Sequence, residues 1–133
     1  MGIPLEKAEI WSILQEYVPD NVTLEDGNYR AIPYKDFEYL MENKRWEDPV
    51  FAHDKFDCNS FCITFMADIK RAWADLSEGQ DALAFGMVTG EDKEGSQHAW
   101  IWQIDDQKNV NWIEPQTNKR KTGEPYRIRN FSA

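Results

Sequence analysis

A stripe of apolar residues in the middle of the chain constrains the fold more than any other feature. Its members recur at steps of three and four, which places them on one face of an α-helix. They are Cys58, Phe61, Cys62, Phe65, Met66, Ile69, Ala72 and Trp73. Asp57 stands directly before the stripe and has a side chain suited to cap a helix. The spacing therefore predicts a helix that begins at Cys58, continues to about Ala74 and buries one face.

Two shorter helical patterns precede this segment, and several strand patterns follow it. The stretches "LEKAEIWSILQEYV" and "YKDFEYLMENKRW" have helical apolar spacing, whereas "DALAFGMV", "HAWIWQI", "NVNWIEP" and "YRIRNF" read as strands. A chain of 133 residues is the size of one domain. Helices followed by a run of strands predict an α+β fold, with N-terminal helices packed on an antiparallel sheet.

The segment "DDQK" predicts a turn between two of these strands, and the turn predicts their register. If Ile104 pairs with Val110, then Trp102 faces Trp112. These tryptophans, together with Trp100, then share one face of the hairpin. We expect them to form sheet core, because alternation is what a half-buried strand requires, although they could also line a substrate cleft.

In the same register His98 and Glu114 point to one face as diagonal neighbours. Long side chains can bridge such a pair. A carboxylate that reaches an imidazole fixes its tautomer and stabilises the imidazolium. A slip of one residue would put the two side chains on opposite faces, so the contact depends on the register.

The two cysteines, Cys58 and Cys62, allow several interpretations. Their spacing on one helix suits a disulfide poorly, and a zinc site would need further ligands from His53 and His98, at no recognisable spacing. The N-terminus of a helix favours an anion, and hence the nucleophilic thiolate, at Cys58. The alternative for Cys58 is a small buried hydrophobe, which is the interpretation we prefer for Cys62.

The acidic balance of the chain limits its partners. Its formal charge of −9 argues against nucleic acid or an anionic membrane as the main partner. The N-terminal residues show no secretory pattern, and no segment is long and apolar enough to span a bilayer. We therefore expect a cytoplasmic location.

Three short motifs together resemble a known family. "FDCNSF", "QHAWIW" and "WIEPQ" are similar to motifs of the papain-like cysteine peptidases. More narrowly, they resemble the papain-like C-terminal domain of the agglutinin from Marasmius oreades and its bacterial and phage relatives. The upstream "LEDGNYRAIPYKDFEYLMEN" also fits that family. The resemblance implies a peptidase or amidase acting on a peptide or protein substrate through a thioester, with Cys58 as nucleophile, His98 as base and Glu114 as the orienting acid.

The resemblance also implies a calcium site, to which Asp57 and Gln116 could contribute, although the hydrolytic chemistry itself needs no cofactor. This chain has Asn59 and Ser60 where the family pattern has acidic residues, and neutral oxygens bind calcium less strongly than carboxylates do.

The Gln that often supplies an oxyanion donor is also missing, with His53 as a substitute. These departures leave an alternative: a non-catalytic papain-like scaffold that binds a protein partner, possibly with a calcium site.

Overall fold

The computed structural model describes residues 2–17, 21–42, 57–77, 79, 81–91, 94–121 and 127–133. The helices are α1 (Lys7–Leu14), α2 (Tyr34–Glu42) and α3 (Cys58–Leu76). The strands are β1 (Ile3–Glu6), β2 (Val22–Thr23), β3 (Asn28–Ala31), β4 (Ala82–Leu83), β5 (Phe85–Glu91), β6 (Gln97–Ile104), β7 (Val110–Glu114), β8 (Lys119–Lys121) and β9 (Arg127–Ser132). His53, considered above as a zinc ligand and oxyanion donor, lies outside the described residues. None of the helices in the described ranges has the length and apolar character needed to cross a membrane.

The helix predicted from the central apolar stripe is confirmed as α3. The Asp57 side chain caps it by accepting a hydrogen bond from the backbone N–H of Ser60 at 3.1 Å. Phe61, Cys62 and Phe65 are buried along the predicted face. The helix ends at Leu76, two residues beyond the expected end.

The predicted α+β class, with helices packed on one antiparallel sheet, is wrong. Nine strands form two sheets in the described residues, in the orders β1-β3-β4 and β2-β9-β5-β6-β7-β8. Each sheet contains a parallel pair, β3 with β4 and β2 with β9. The physical reason is that short N-terminal segments serve as strands: β1 precedes the first helix, and β2 adds to an edge of the larger sheet. The fold is therefore richer in strands than the sequence pattern indicated.

The larger sheet has the register that the sequence predicted for its central hairpin. Ile104 pairs with Val110 and Trp102 with Trp112. Alternation along β6 and β7 then separates two apolar clusters, one on each face. The first cluster contains Ile10, Leu14, Val88, Trp100, Trp102, Trp112 and Phe131. The second contains Cys62, Phe65, Ile69, Phe85, Ala99, Ile101 and Ile113. The tryptophans are thus core residues, and α3 packs on the opposite face of the sheet from them.

The single apolar run predicted as one strand is divided at Ala84. Its N–H donates to the carbonyl of Arg30, and its carbonyl accepts from the N–H of Ile104. Ala84 is therefore the residue through which the chain passes from the smaller sheet to the larger one.

A buried polar network holds the hairpin turn between β6 and β7. The side-chain amide of Asn111 donates to Gln103 at 2.9 Å and to Asp105 at 3.0 Å. The other carboxylate oxygen of Asp105 accepts the backbone N–H groups of Gln107 and Asn109. Each of these buried groups is hydrogen-bonded, so the network fixes the turn without a desolvation penalty from an unpaired atom.

Gly86 provides a test of how closely β9 approaches β5. A Cβ at this position would overlap the Ser132 carbonyl oxygen, which also accepts a hydrogen bond from the Trp102 indole at 3.3 Å. Gly86→Ala must push the C-terminal strand away from Trp102. We expect it to lower the free energy of unfolding by about 2 kcal/mol, measured by urea denaturation.

Gly27→Ala is the matched control, because a Cβ there meets nothing within 4 Å. Its effect should stay within about 0.5 kcal/mol. Equal effects of the two substitutions would show that the contact between Gly86 and Ser132 does not limit the packing of β9.

Candidate functional site

His98 and Glu114 form a direct hydrogen bond near the ends of two paired strands. The Nε2–H of His98 donates to Oε2 of Glu114 at 2.9 Å, and the side chains are 24% and 15% exposed. Because His98 is the second residue of β6 and Glu114 is the last residue of β7, the hairpin register is what brings them together. The predicted contact between these two residues is present in the structure.

Glu114 is fixed by further contacts. Its Oε1 accepts the backbone N–H of Gln116 at 3.2 Å, and Nζ of Lys121 lies 3.9 Å from its Oε2. The His98 ring packs edge-on against Trp100 with centroids 4.2 Å apart. The Glu114 carboxylate is fixed by its three contacts, and the His98 ring packs against the Trp100 indole. Together these contacts keep the His98 ring in one orientation. Nε2 is engaged by Glu114, so Nδ1 is the nitrogen left to face another group.

Cys58 occupies the first position of α3, directly after the Asp57 cap, and its side chain is partly exposed. Asp57 accepts both the backbone N–H and the hydroxyl of Ser60, each at 3.1 Å. The hydrogen bond from the Ser60 backbone N–H is the main cause that lowers the pKa of Asp57 below its ordinary value, and the hydrogen bond from the Ser60 hydroxyl lowers it further. The capped helix end therefore presents the Cys58 thiol on a rigid element.

A groove of about 530 Å³ joins these elements at one end of the larger sheet. It lies where the start of α3 meets the end of β5, the start of β6 and the middle of β9. The lining residues are Asp57, Cys58, Asn59, Thr89, Gly90, Gln97, His98, Arg129 and Asn130. Cys58 and His98 thus line the same groove.

The structure brings His98 to Glu114 but gives Cys58 no hydrogen bond to His98 among the described residues. Sheet alternation explains this: His98 shares its face with Trp100, whereas α3 packs on the face of Ala99. A thiol hydrolase brings its thiol within hydrogen-bond reach of its base, often more loosely when no ligand is bound. Cys58 and His98 share the groove, and the catalytic pairing of the two stays a prediction.

Cys62 is buried in the apolar cluster beneath α3, as the sequence predicted. Burial is the main cause that raises the pKa of its thiol far above the ordinary range, and the charges of Cys58 and Glu114 raise it further. Cys62 is therefore a protonated packing residue.

The two candidate calcium ligands have other contacts. Asp57 uses one carboxylate oxygen to cap α3, and Gln116 contributes its backbone N–H to Glu114. Within the described ranges, no three His, Cys, Asp or Glu side chains cluster as a metal site. Calcium binding by Asp57 and Gln116 stays a prediction.

The sequence interpretation missed half of the groove. Thr89, Gly90, Gln97, Arg129 and Asn130 line it, but the sequence interpretation named none of them as a candidate site residue. Gly90 and Gln97 flank a polar loop, which is a weak signal for a site. Nothing in the sequence singled out Arg129 or Asn130, because a strand irregularity places them there.

The fold is shared with solved lectin structures. One is the PSL1a complex with E64, with a TM-score of 0.84 and 18% sequence identity over 98% of this chain and 51% of that one. Another is the Polyporus squamosus lectin bound to the human-type influenza-binding epitope Neu5Acα2-6Galβ1-4GlcNAc, with a TM-score of 0.75 and 18% identity over 89% of this chain and 45% of that one. This chain spans about half the length of these lectins. No protein-family model and no curated protein matches the sequence. At this identity the likeness establishes a shared fold.

These findings correct the identification as a papain-like cysteine peptidase. The solved structures that share the fold belong to a lectin, and this chain, whose described residues form nine strands in two sheets, covers about half of each. The assignment as a cysteine hydrolase is therefore not upheld, and the catalytic roles of Cys58, His98 and Glu114 stay an untested prediction. A non-catalytic binding domain, the alternative kept above, fits these findings better.

The different environments of the two cysteines predict different responses to the same substitution. Cys62→Ser buries a hydroxyl in an apolar cluster and should lower the free energy of unfolding by about 2 kcal/mol. Cys58→Ser, at a partly exposed position, should change it by less than about 0.5 kcal/mol. Thermal or urea denaturation measures both. A larger loss from Cys58→Ser would mean that the first turn of α3 is packed more tightly than the structure shows.

Proposed function

We propose that the chain is a binding domain whose groove holds a segment of a protein partner. The observation that carries this proposal is the groove of about 530 Å³ between the start of α3 and the strands β5, β6 and β9. Its volume falls within the range of about 300–1,000 Å³ that is usual for ligand sites.

The chemistry of the groove suits a hydrogen-bonding ligand. Asn59, Gln97 and Asn130 supply amides, and Thr89 supplies a hydroxyl. Amides donate and accept hydrogen bonds at once, as the backbone of an extended peptide segment also does. Gly90 contributes only backbone atoms to the groove wall.

Cys58 and His98 have a role in this proposal as polar groups of the groove lining, to which Glu114 itself does not belong. Glu114 holds the imidazole of His98, and the Cys58 thiol reacts with an electrophilic ligand placed beside it. PSL1a, which shares the fold, forms a complex with E64. E64 is a thiol-reactive epoxide, so it is a suitable probe for the Cys58 thiol.

Labelling by E64 tests the accessibility and reactivity of the groove thiol. The Cys58 sulfur attacks an epoxide carbon, the C–O bond opens and the oxygen takes a proton. We expect intact-mass spectrometry at pH 7.5 to show one adduct, which peptide mapping locates at Cys58. Cys58→Ala should remove the adduct, whereas the control Cys62→Ala should retain it. A folded protein that stays unlabelled would contradict the proposal of a reactive thiol in an open groove.

Incubation with a peptide library separates binding from hydrolysis. A binding domain should leave every peptide intact, as read by mass spectrometry, while retaining a subset of them on immobilised protein. Release of fragments that disappears in Cys58→Ala would overturn the binding proposal in favour of an enzyme. Retention of no peptide above the level of an unrelated acidic protein would argue against a protein partner.

A carbohydrate is the second candidate ligand, because the Polyporus squamosus lectin binds a sialylated trisaccharide. The amides and hydroxyl of the groove could also bind sugar hydroxyls. NMR titration with Neu5Acα2-6Galβ1-4GlcNAc should then shift the resonances of Asn59 and Asn130. Shifts confined to residues outside the groove, or none, would remove the carbohydrate candidate.

A further inference from the structure

We infer that Arg129 makes the groove selective for a carboxylate on the bound partner segment. The inference rests on the proposed function, since it names the chemistry of the ligand that this groove takes. Three observations carry it: the backbone irregularity that positions Arg129, its pairing with Glu91, and the charge of the remaining groove lining.

A β-bulge in β9 directs Arg129 into the groove. Along β5, Thr89 pairs with Asn130 but Gly90 pairs with Ile128, so Arg129 is the extra residue between them. Phe131 and Ile128 both reach the apolar cluster, although three positions separate them. Without the bulge, strict alternation would place them on opposite faces. The inserted residue thus lets Arg129 and Asn130 line the groove while the core contacts of β9 are kept.

Glu91 steadies the Arg129 side chain without using all of its donors. One guanidinium nitrogen of Arg129 donates to Oε1 of Glu91, and the two side chains are 52% and 18% exposed. A guanidinium carries five N–H donors in a planar fork. Glu91 is not among the residues that line the groove. It can therefore anchor Arg129 from outside while other N–H groups remain for a ligand in the groove.

Arg129 differs in charge from the other residues that line the groove. The chain carries a formal charge of −9, yet the groove contains a fixed cation. Asp57, the carboxylate of the lining, is directed to the Ser60 cap at the start of α3. Guanidinium binds a carboxylate with paired hydrogen bonds. A segment with an Asp or Glu side chain, or with a free terminal carboxylate, therefore complements this groove better than a basic segment does.

The rates at which iodoacetate and iodoacetamide alkylate Cys58 test this inference. In both reactions the sulfur forms a C–S bond, the C–I bond breaks and iodide leaves. The reagents differ mainly in the carboxylate of iodoacetate, so the ratio of their rates reports the charge felt in the groove. Arg129→Gln should lower the iodoacetate-to-iodoacetamide ratio by up to about twofold, as expected for the loss of one partly screened unit charge within a Debye length of the reacting group. Arg129→Lys should retain most of the ratio.

Lys70→Gln is the matched control, because it removes the same charge from α3 about 18 Å along the helix from Cys58. Screening at physiological salt should leave its ratio unchanged. An unchanged ratio in Arg129→Gln, or equal falls in Arg129→Gln and Lys70→Gln, would overturn the inference while the proposed binding function stands. Failure of both reagents to label Cys58 in the folded protein would show that the groove is closed at Cys58 and would overturn the inference, whereas the proposed function is decided separately by the retention of peptides on the immobilised protein.

Discussion

The pairing of β6 with β7 is the constraint on which the rest of the structure depends. Trp102 opposite Trp112 fixes a register, and side-chain alternation then decides the face of every other residue in the hairpin. In this register the indoles join one core, Ile113 joins the other, and His98 meets Glu114. A shift by one residue would bury polar groups and separate the imidazole from its carboxylate. The same packing energy that stabilises the sheet therefore holds the polar pair in place.

The parts of the fold that the sequence predicted are those specified by local pattern. The helix from Cys58 follows from its apolar stripe, and the hairpin register follows from alternation on both sides of a short turn. The two-residue strands β2 and β4 carry no period of their own, and they form only because distant segments supply their partners. β8, with the sequence Lys-Arg-Lys, is exposed throughout and shows no alternation. Such strands depend on long-range pairing, which a single sequence does not reveal.

The functional interpretation failed at the step from local contact to tertiary arrangement. Two strands joined by a short turn suffice to predict that His98 meets Glu114. The relation of Cys58 to His98 depends instead on how α3 packs against the sheet. The helix covers the face of Ala99, whereas His98 packs against Trp100 on the other face. Short motifs in the right order therefore predicted one real contact, and they extended it to a triad that the described structure does not join by hydrogen bonds.

The groove lies at one end of the larger sheet, beside its interior strands β9, β5 and β6, and it takes side chains from α3 as well as from these strands. Its character depends on one inserted residue. The bulge in β9 preserves the contributions of Ile128 and Phe131 to the core and adds Arg129 and Asn130 to the groove. Without the bulge, β9 could not keep Ile128 and Phe131 in the core and also direct Arg129 and Asn130 into the groove. A regular strand alternates strictly between its two faces and cannot place both pairs in this way. The charge of the site is thus linked to the packing of the sheet through the backbone of β9, and a change in ligand preference can come from a single residue without rebuilding the core.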